Sequence, residues 1–266
     1  MIRRIVVGLV VAAIGLGCVA LPWTFYTLLL LIGLASIYEL NKLCEIKGQP
    51  LEYPVAVLGV CAYIAMAVLG LIHKWEGVLL AAIVVAAFLI GMYGEQKGYF
   101  ARTAYTLLAV LYIGKLLTYF VFIRQIAGNG MWMTFYVIVM IALTDIFGMI
   151  VGKVAGRHSL STISPRKTVE GSLGALAVVV AFAVAATSAP VLHLLWWQGA
   201  VLGAFTCVAA QAGDLAESAI KRDAGVKDAG DMIVGHGGVL DRFDSYLFGG
   251  VVFFATLHLL GILQVQ

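Results

Sequence analysis

A chain of 266 residues could enclose a sizeable water-soluble core. With 62% hydrophobic and only 12% charged residues, however, this one carries more apolar surface than such a core can hide, so it is expected to take lipid as its solvent. A net charge of +3 is too small and too dispersed to suggest a nucleic-acid partner. Cys18, Cys44, Cys61 and Cys207 lack metal-ligand spacing and read as small hydrophobes.

The N-terminal stretch MIRRIVVGLVVAAIGLGCVALP begins like a signal peptide but has no A-x-A-type cleavage site, and it leads straight into more apolar chain. An uncleaved first helix is expected. Apolar windows close to the ~20 residues needed to cross a bilayer fall at 5–20, 22–38, 54–72, 76–93, 104–123, 132–152, 171–190, 196–220 and 245–263. Pro22 separates the first two. The runs are too continuous for barrel strands, and backbone groups in lipid must then be satisfied within helices. The expectation is an all-α integral membrane protein: a polytopic bundle of nine transmembrane helices in one continuous membrane domain. Residues 1–130 form its N-terminal helices. Residues 131–266 form the C-terminal region that carries the chemistry.

Sidedness follows from Lys and Arg. With the N-terminus in the cytoplasm, fourteen of these residues fall on cytoplasmic segments and only Lys74 and Arg124 on the far side, while Lys115 lies within a span. Both long polar loops, 153–170 and 221–244, then face the cytoplasm, where nucleotides are available.

The acids are concentrated in the same half. All seven Asp residues lie between 145 and 244. Asp145, in VIVMIALTDIFGMIVGK, and Asp214, in TCVAAQAGDLAESAIKR, precede the basic helix ends by eight and seven residues. At 1.5 Å rise per residue that is a depth of roughly 11 Å. A charge so placed is costly unless it faces a polar cavity, a cation or a basic partner. Asp214, Glu217, Ser218, Lys221 and Arg222 recur on one helical stripe, which would form a graded cleft with acids deep and bases at the rim. Asp241 and Asp244 stand three apart at the start of the last span. That spacing suits a second acidic pair, and it equally suits an N-cap and first helical turn.

Between these acids, GHGG at 235–238 offers glycines that let backbone N–H groups approach an anion, with His236 able to donate to a phosphate. The loop GRHSLSTISPRKTVEGS contributes Ser164, Arg166, Lys167 and Thr168, and reads as a basic, hydroxyl-rich phosphate cradle.

SAIKRDAGVKDAGDMIVGHGGVLDRFD, residues 218–244, resembles the signature of the phosphatidate cytidylyltransferases, or CDP-diacylglycerol synthases. Ser218, Lys221, Arg222, Lys227, Asp228, His236, Gly237, Gly238, Asp241, Arg242 and Asp244 all match it. GDLAES at 213–218 and ISPRKTVEG at 163–171 resemble two further blocks of the family. Val234 stands where the family usually has Pro and Arg166 where it has Lys, and the block around Asp145 is only partly followed. The resemblance implies transfer of a cytidylyl group from CTP to phosphatidate, releasing pyrophosphate, at the cell's inner membrane. It implies Mg²⁺ held by Asp214 and Asp241, with Asp145 and Glu217 as further candidate ligands, and it admits a second, monovalent cation. Asp214, Asp241, Lys221, Asp244 and His236 are the candidate catalytic residues. Ser164, Arg166, Lys167, Thr168, Ser218, Arg222, Lys227, Asp228, Gly237, Gly238 and Arg242 are expected to hold CTP or the lipid headgroup. A homodimer is also implied. The rival readings are a CTP-dependent polyprenol or phytol kinase and, from a different class, a membrane transporter.

Overall fold

The computed structural model describes residues 15–93, 96–230, 232 and 237–263. Among them the regular structure is helical, with an isolated antiparallel bridge between Ser159 and Thr168. Residues 15–20 are helical, and the rest of the first expected span lies outside the described residues. The helices that follow are α1 (Pro22–Ile46), α2 (Tyr53–Val68), α3 (Ile72–Gly91) and α4 (Tyr99–Ala109). A π-helical turn (Val110–Lys115) joins α4 to α5 (Leu116–Arg124). Then come α6 (Gly130–Ala155), α7 (Val169–Ala186), a 3₁₀ turn (Pro190–Leu192), α8 (Trp196–Asp223) and α9 (Leu240–Leu259). Six of the described helical segments are long and apolar enough to cross a membrane, counting Tyr99–Arg124 as one.

Local chemistry explains the boundaries. Pro22 and Pro54 occupy first-turn positions of α1 and α2, where a missing N–H costs nothing. Gly48 and Gly70, at φ +68° and +70°, take the left-handed conformation just beyond the ends of the same two helices. Gly70 also accounts for a difference from the expected span 54–72: α2 is 16 residues long and stops at Val68. The last helix starts five residues before the expected 245, so Asp241 and Asp244 lie in its opening turns.

The chain divides into two compact units: residues 1–121 with 223–243, and residues 122–222 with 244–266. The polar segment 223–243 thus groups with the N-terminal helices. In the first unit, close approach is set by small residues. A Cβ on Gly33 would meet Val60 at 2.9 Å, one on Gly59 would meet Val110 at 2.8 Å, and one on Gly114 would meet the Val60 Cα at 3.1 Å. Around these contacts Ile37, Val60, Tyr63, Ile113 and Leu117 are fully or almost fully buried. Several charges here are paired. Glu76 meets Lys115, which the π-turn carries in mid-helix. Arg102 meets Glu52 at 3.3 Å. Lys47, beyond the end of α1, pairs with Asp223, whose carboxylate holds the ammonium above the usual lysine range.

The second unit depends on glycine even more. Gly148 and Gly152 on α6, with Gly156 as its C-cap, repeat every four residues, the small-xxx-small pattern of helices that pack closely in lipid. Their counterpart on α7 is Gly171, where a Cβ would lie 2.6 Å from the Gly148 carbonyl oxygen and 3.0 Å from the Gly152 Cα. Gly203 on α8 likewise has no room beside Ala183, and Gly213 none beside the Asp244 carbonyl. Tyr136 links α6 to α7 by donating its hydroxyl to the Ala183 carbonyl at 2.9 Å.

Two outcomes are expected. Gly171→Leu, which forces a side chain into the α6 backbone, should lower the melting temperature of the detergent-solubilised protein by roughly 3–10 °C. Gly77→Leu, at a position with open space around it, should leave the melting temperature nearly unchanged. Lys115→Met or Glu76→Gln alone should destabilise by leaving one charge uncompensated, whereas the double variant should recover most of the loss. Additive losses in that cycle would show that the pair is not coupled.

Candidate active site

The second unit gathers the deep acids. On α8, Asp214, Glu217, Ser218 and Lys221 share one stripe, and Glu217, Ser218 and Lys221 are all buried. Glu217 is fully enclosed, and its carboxylate meets the Lys221 ammonium at 2.5 Å, one helical turn on. Lys221, expected at the rim of a cleft, is buried instead, and Arg222 beside it is exposed. Asp214 meets the Lys167 ammonium at 2.5 Å. Ser172 on α7 donates to the side-chain oxygen of Gln211, three residues before Asp214 on the same stripe.

The loop between α6 and α7 is built to deliver Lys167. The Leu160 amide donates to the Lys167 carbonyl at 2.8 Å and the Val169 amide to the His158 carbonyl at 2.9 Å, which folds 158–169 back on itself. Glu170 closes the base of this turn. Its Oε2 accepts the Arg157 and His158 amides at 3.0 and 3.2 Å, while Oε1 faces the His158 Nδ1 at 2.6 Å. Thr168, expected at a phosphate, is the N-cap of α7 and accepts the Gly171 amide at 3.1 Å. Ser164 is half-buried and Arg166 exposed on the same loop.

Asp244 and Ser245, early in α9, complete this group. Asp244 is 5% exposed and within electrostatic reach of Asp214, Glu217 and Asp145. Ser245 donates its hydroxyl to Asp145 at 3.1 Å, and Asp145 itself is exposed. Four carboxyl groups and two ammonium groups thus share one region of the second unit. Like charges brought close repel, and the two lysines offset part of that repulsion. The acidic donors are all carboxylate oxygens, the hard ligands that Mg²⁺ takes. Among the described residues no three His, Cys, Asp or Glu side chains already converge on one point.

The first unit holds the rest of the motif. The Asp241 carboxylate accepts the amides of Ala229, at 3.0 Å, and Gly238, at 2.8 Å. Gly237, at φ +82°, lies where a Cβ would stand 3.1 Å from the Asp241 Oδ2. The Gly238 amide, expected to face a phosphate, is therefore already given to the protein's own carboxylate. Lys227, Asp228 and Arg242 are exposed, and His236 lies outside the described residues.

One residue with a clear part in this geometry escaped the sequence reading. Glu39, on α1, is fully buried. Its two carboxylate oxygens accept the amides of Val239, at 2.9 Å, and Leu240, at 2.7 Å. A carboxylate just past the end of the apolar window 22–38, still within α1, was the available signal. Nothing in its local sequence pointed to partners two hundred positions away. Gln211, Ser172 and Ser245 were missed for the same reason, being small polar groups whose significance comes from what faces them.

Comparison with known proteins agrees with the motif. Residues 2–260 match the model of the Cytidylyltransferase family. The chain is 32% identical over 258 residues to the phosphatidate cytidylyltransferase of Bacillus subtilis (strain 168), covering 92% of this chain and 93% of that protein. It is 32% identical over 293 residues to phosphatidate cytidylyltransferase 4, chloroplastic, of Arabidopsis thaliana, covering 96% and 73%. It is 30% identical over 246 residues to the phosphatidate cytidylyltransferase of Staphylococcus aureus (strain COL), covering 90% and 91%. The chain therefore belongs to the cytidylyltransferase family, alongside phosphatidate cytidylyltransferases, as the motif at 218–244 anticipated.

Proposed function

We propose that this protein transfers a cytidylyl group from CTP to phosphatidate, forming CDP-diacylglycerol and pyrophosphate in phospholipid biosynthesis. The observation that carries the reading, beside the family match, is the half-buried Lys167–Asp214 pair with the buried Lys221–Glu217 pair and the buried Asp244. Such a set suits two polyanions that must be brought together with cations. An alcohol acceptor would instead call for a base to take up a hydroxyl proton.

The nucleophile is a phosphate oxygen of phosphatidate, already anionic at neutral pH, so no side chain needs to activate it. A new P–O bond forms at the α-phosphorus of CTP as the bond to the β-phosphate oxygen breaks, and pyrophosphate departs with that electron pair. The difficulty is electrostatic, and positioning with charge neutralisation is how such transfers are accelerated. Lys167 and Lys221 would exchange carboxylate partners for phosphate oxygens. The exposed guanidinium groups of Arg166, Arg222 and Arg242 would draw the nucleotide in from water, aided by Lys227. Ser164 and Ser218 would donate to phosphate oxygens, and His236 is assigned the same role from the motif. Asp145, Asp214 and Glu217 would hold Mg²⁺, with Asp241 assigned as a further ligand from the family motif. When bound, the metal supplies neutralisation of phosphate charge.

We assign the chain nine membrane spans with the N-terminus in the cytoplasm of the cell and the loops 153–170 and 221–244 facing CTP. The excess of Lys and Arg on those segments supports this sidedness. In such a setting the acyl chains stay in the inner-membrane bilayer while the nucleotide arrives from water.

Purified protein in detergent, given phosphatidate, Mg²⁺ and CTP labelled at the α-phosphate, should place the label in a lipid of the mass of CDP-diacylglycerol. Asp214→Asn should abolish this while leaving membrane insertion intact. Label reaching lipid only from γ-labelled CTP, on an alcohol acceptor, would establish a kinase instead. Lys167→Ala should raise the KM for CTP about tenfold or more, the effect of losing one hydrogen bond to a charged group. An unchanged KM in a CTP titration at saturating phosphatidate would place Lys167 outside the nucleotide site.

A further inference from the structure

The first two amides of a helix have no partner within it, and in water they are met by solvent or by a capping side chain from the residue just before. At the start of α9 the chain supplies neither Ser, Thr, Asn nor Asp in that position: the preceding residue is Val239. The capping carboxylate comes instead from Glu39, the eighteenth residue of α1, with no exposure to solvent. Each of its oxygens takes one amide, Val239 at 2.9 Å and Leu240 at 2.7 Å.

The glycines around it match this arrangement. A Cβ at Gly230 would stand 2.8 Å from the Glu39 Oε1, and one at Gly238 would stand 2.6 Å from the Oε2. Both positions are left without a side chain where the carboxylate fills the space. Directly beside it, Asp241 accepts the amides of Ala229 and Gly238. Two carboxylates, one remote and one local, therefore divide four backbone donors between them and set the path of 229–230 and 237–241.

We propose that Glu39 is a positioning residue for the reaction: reaching from α1, it fixes the entry into α9 and thereby the direction in which Asp241 is presented. Its charge is matched by the helix N-terminus, which favours an anion there. Trimming it orphans one buried and one half-buried amide and releases the backbone on which Asp241 sits. This role rests on the cytidylyl-transfer reading for its kinetic consequence, while its structural consequence stands apart from any substrate.

The test uses the full-length protein in detergent. Hydrogen exchange read without substrate should show at least a tenfold loss of protection at the Val239 and Leu240 amides in Glu39→Gln, whose side-chain NH₂ cannot accept the second donor. The same variant should lose at least tenfold in kcat while its KM for phosphatidate stays within twofold. Gly230→Ala should lower kcat at least tenfold in the wild-type background and no more than twofold in Glu39→Ala, because the added methyl then enters vacated space. Should Glu39→Ala fail to fold, the nearly isosteric Glu39→Gln decides alone. Unchanged protection at 239–240 would overturn the proposal, and so would a lower melting temperature with kcat per folded molecule intact. If instead protection falls but no lipid nucleotide forms even in the wild type, the positioning geometry stands and the assigned reaction is the part that fails.

Discussion

A carboxylate inside an apolar helical bundle has to be met by a cation or by hydrogen-bond donors, since leaving it bare there costs several kcal/mol. That constraint organises most of what is described here. Glu76 meets Lys115, Glu52 meets Arg102, Asp214 meets Lys167 and Glu217 meets Lys221. Glu39 instead takes two amides at the start of a helix. The acids so paired across elements join pieces of the fold.

The second constraint is the absence of a hydrophobic driving force between helices in lipid, which leaves close packing and polar contacts to associate them. The answer in this chain is backbone contact through glycine. Gly148, Gly152 and Gly171 bring α6 against α7, and Gly203 and Gly213 do the same for α8. This proximity has a direct bearing on the site. Ser172 reaches Gln211, and Lys167 reaches Asp214, because the helices and the loop carrying them are held at near-minimal separation. Packing that seems remote from the chemistry therefore sets its geometry.

The lysine–carboxylate pairs also suggest how such a site stays stable before its substrates arrive. Each ammonium group neutralises an acid that would otherwise be unfavourable in a low-dielectric region, and each is chemically suited to exchange that acid for a phosphate oxygen. Asp244, enclosed near three other acids, raises the demand for cations further. In the proposed reading, ion pairs of this kind are as much a resting state of a binding site as a contribution to the fold.

Composition alone determined that the chain is a lipid-embedded helical protein, because continuous apolar windows in a hydrocarbon solvent leave helices as the economical way to satisfy the backbone. The motif from Ser218 to Asp244 determined the family, since so many fixed polar positions in one segment are read directly from residue identity. The boundary of α9, the burial of Lys221 and the pairing of Lys167 with Asp214 were decided only by the tertiary structure. So was the part played by Glu39, and with it the reason Gly230 and Gly238 are glycine: a side chain two hundred residues away fills the space a Cβ would need. The physical reason is common to all four. Hydrophobic periodicity and motif spacing are local properties of the chain, whereas the partner that compensates a buried charge is chosen by three-dimensional proximity.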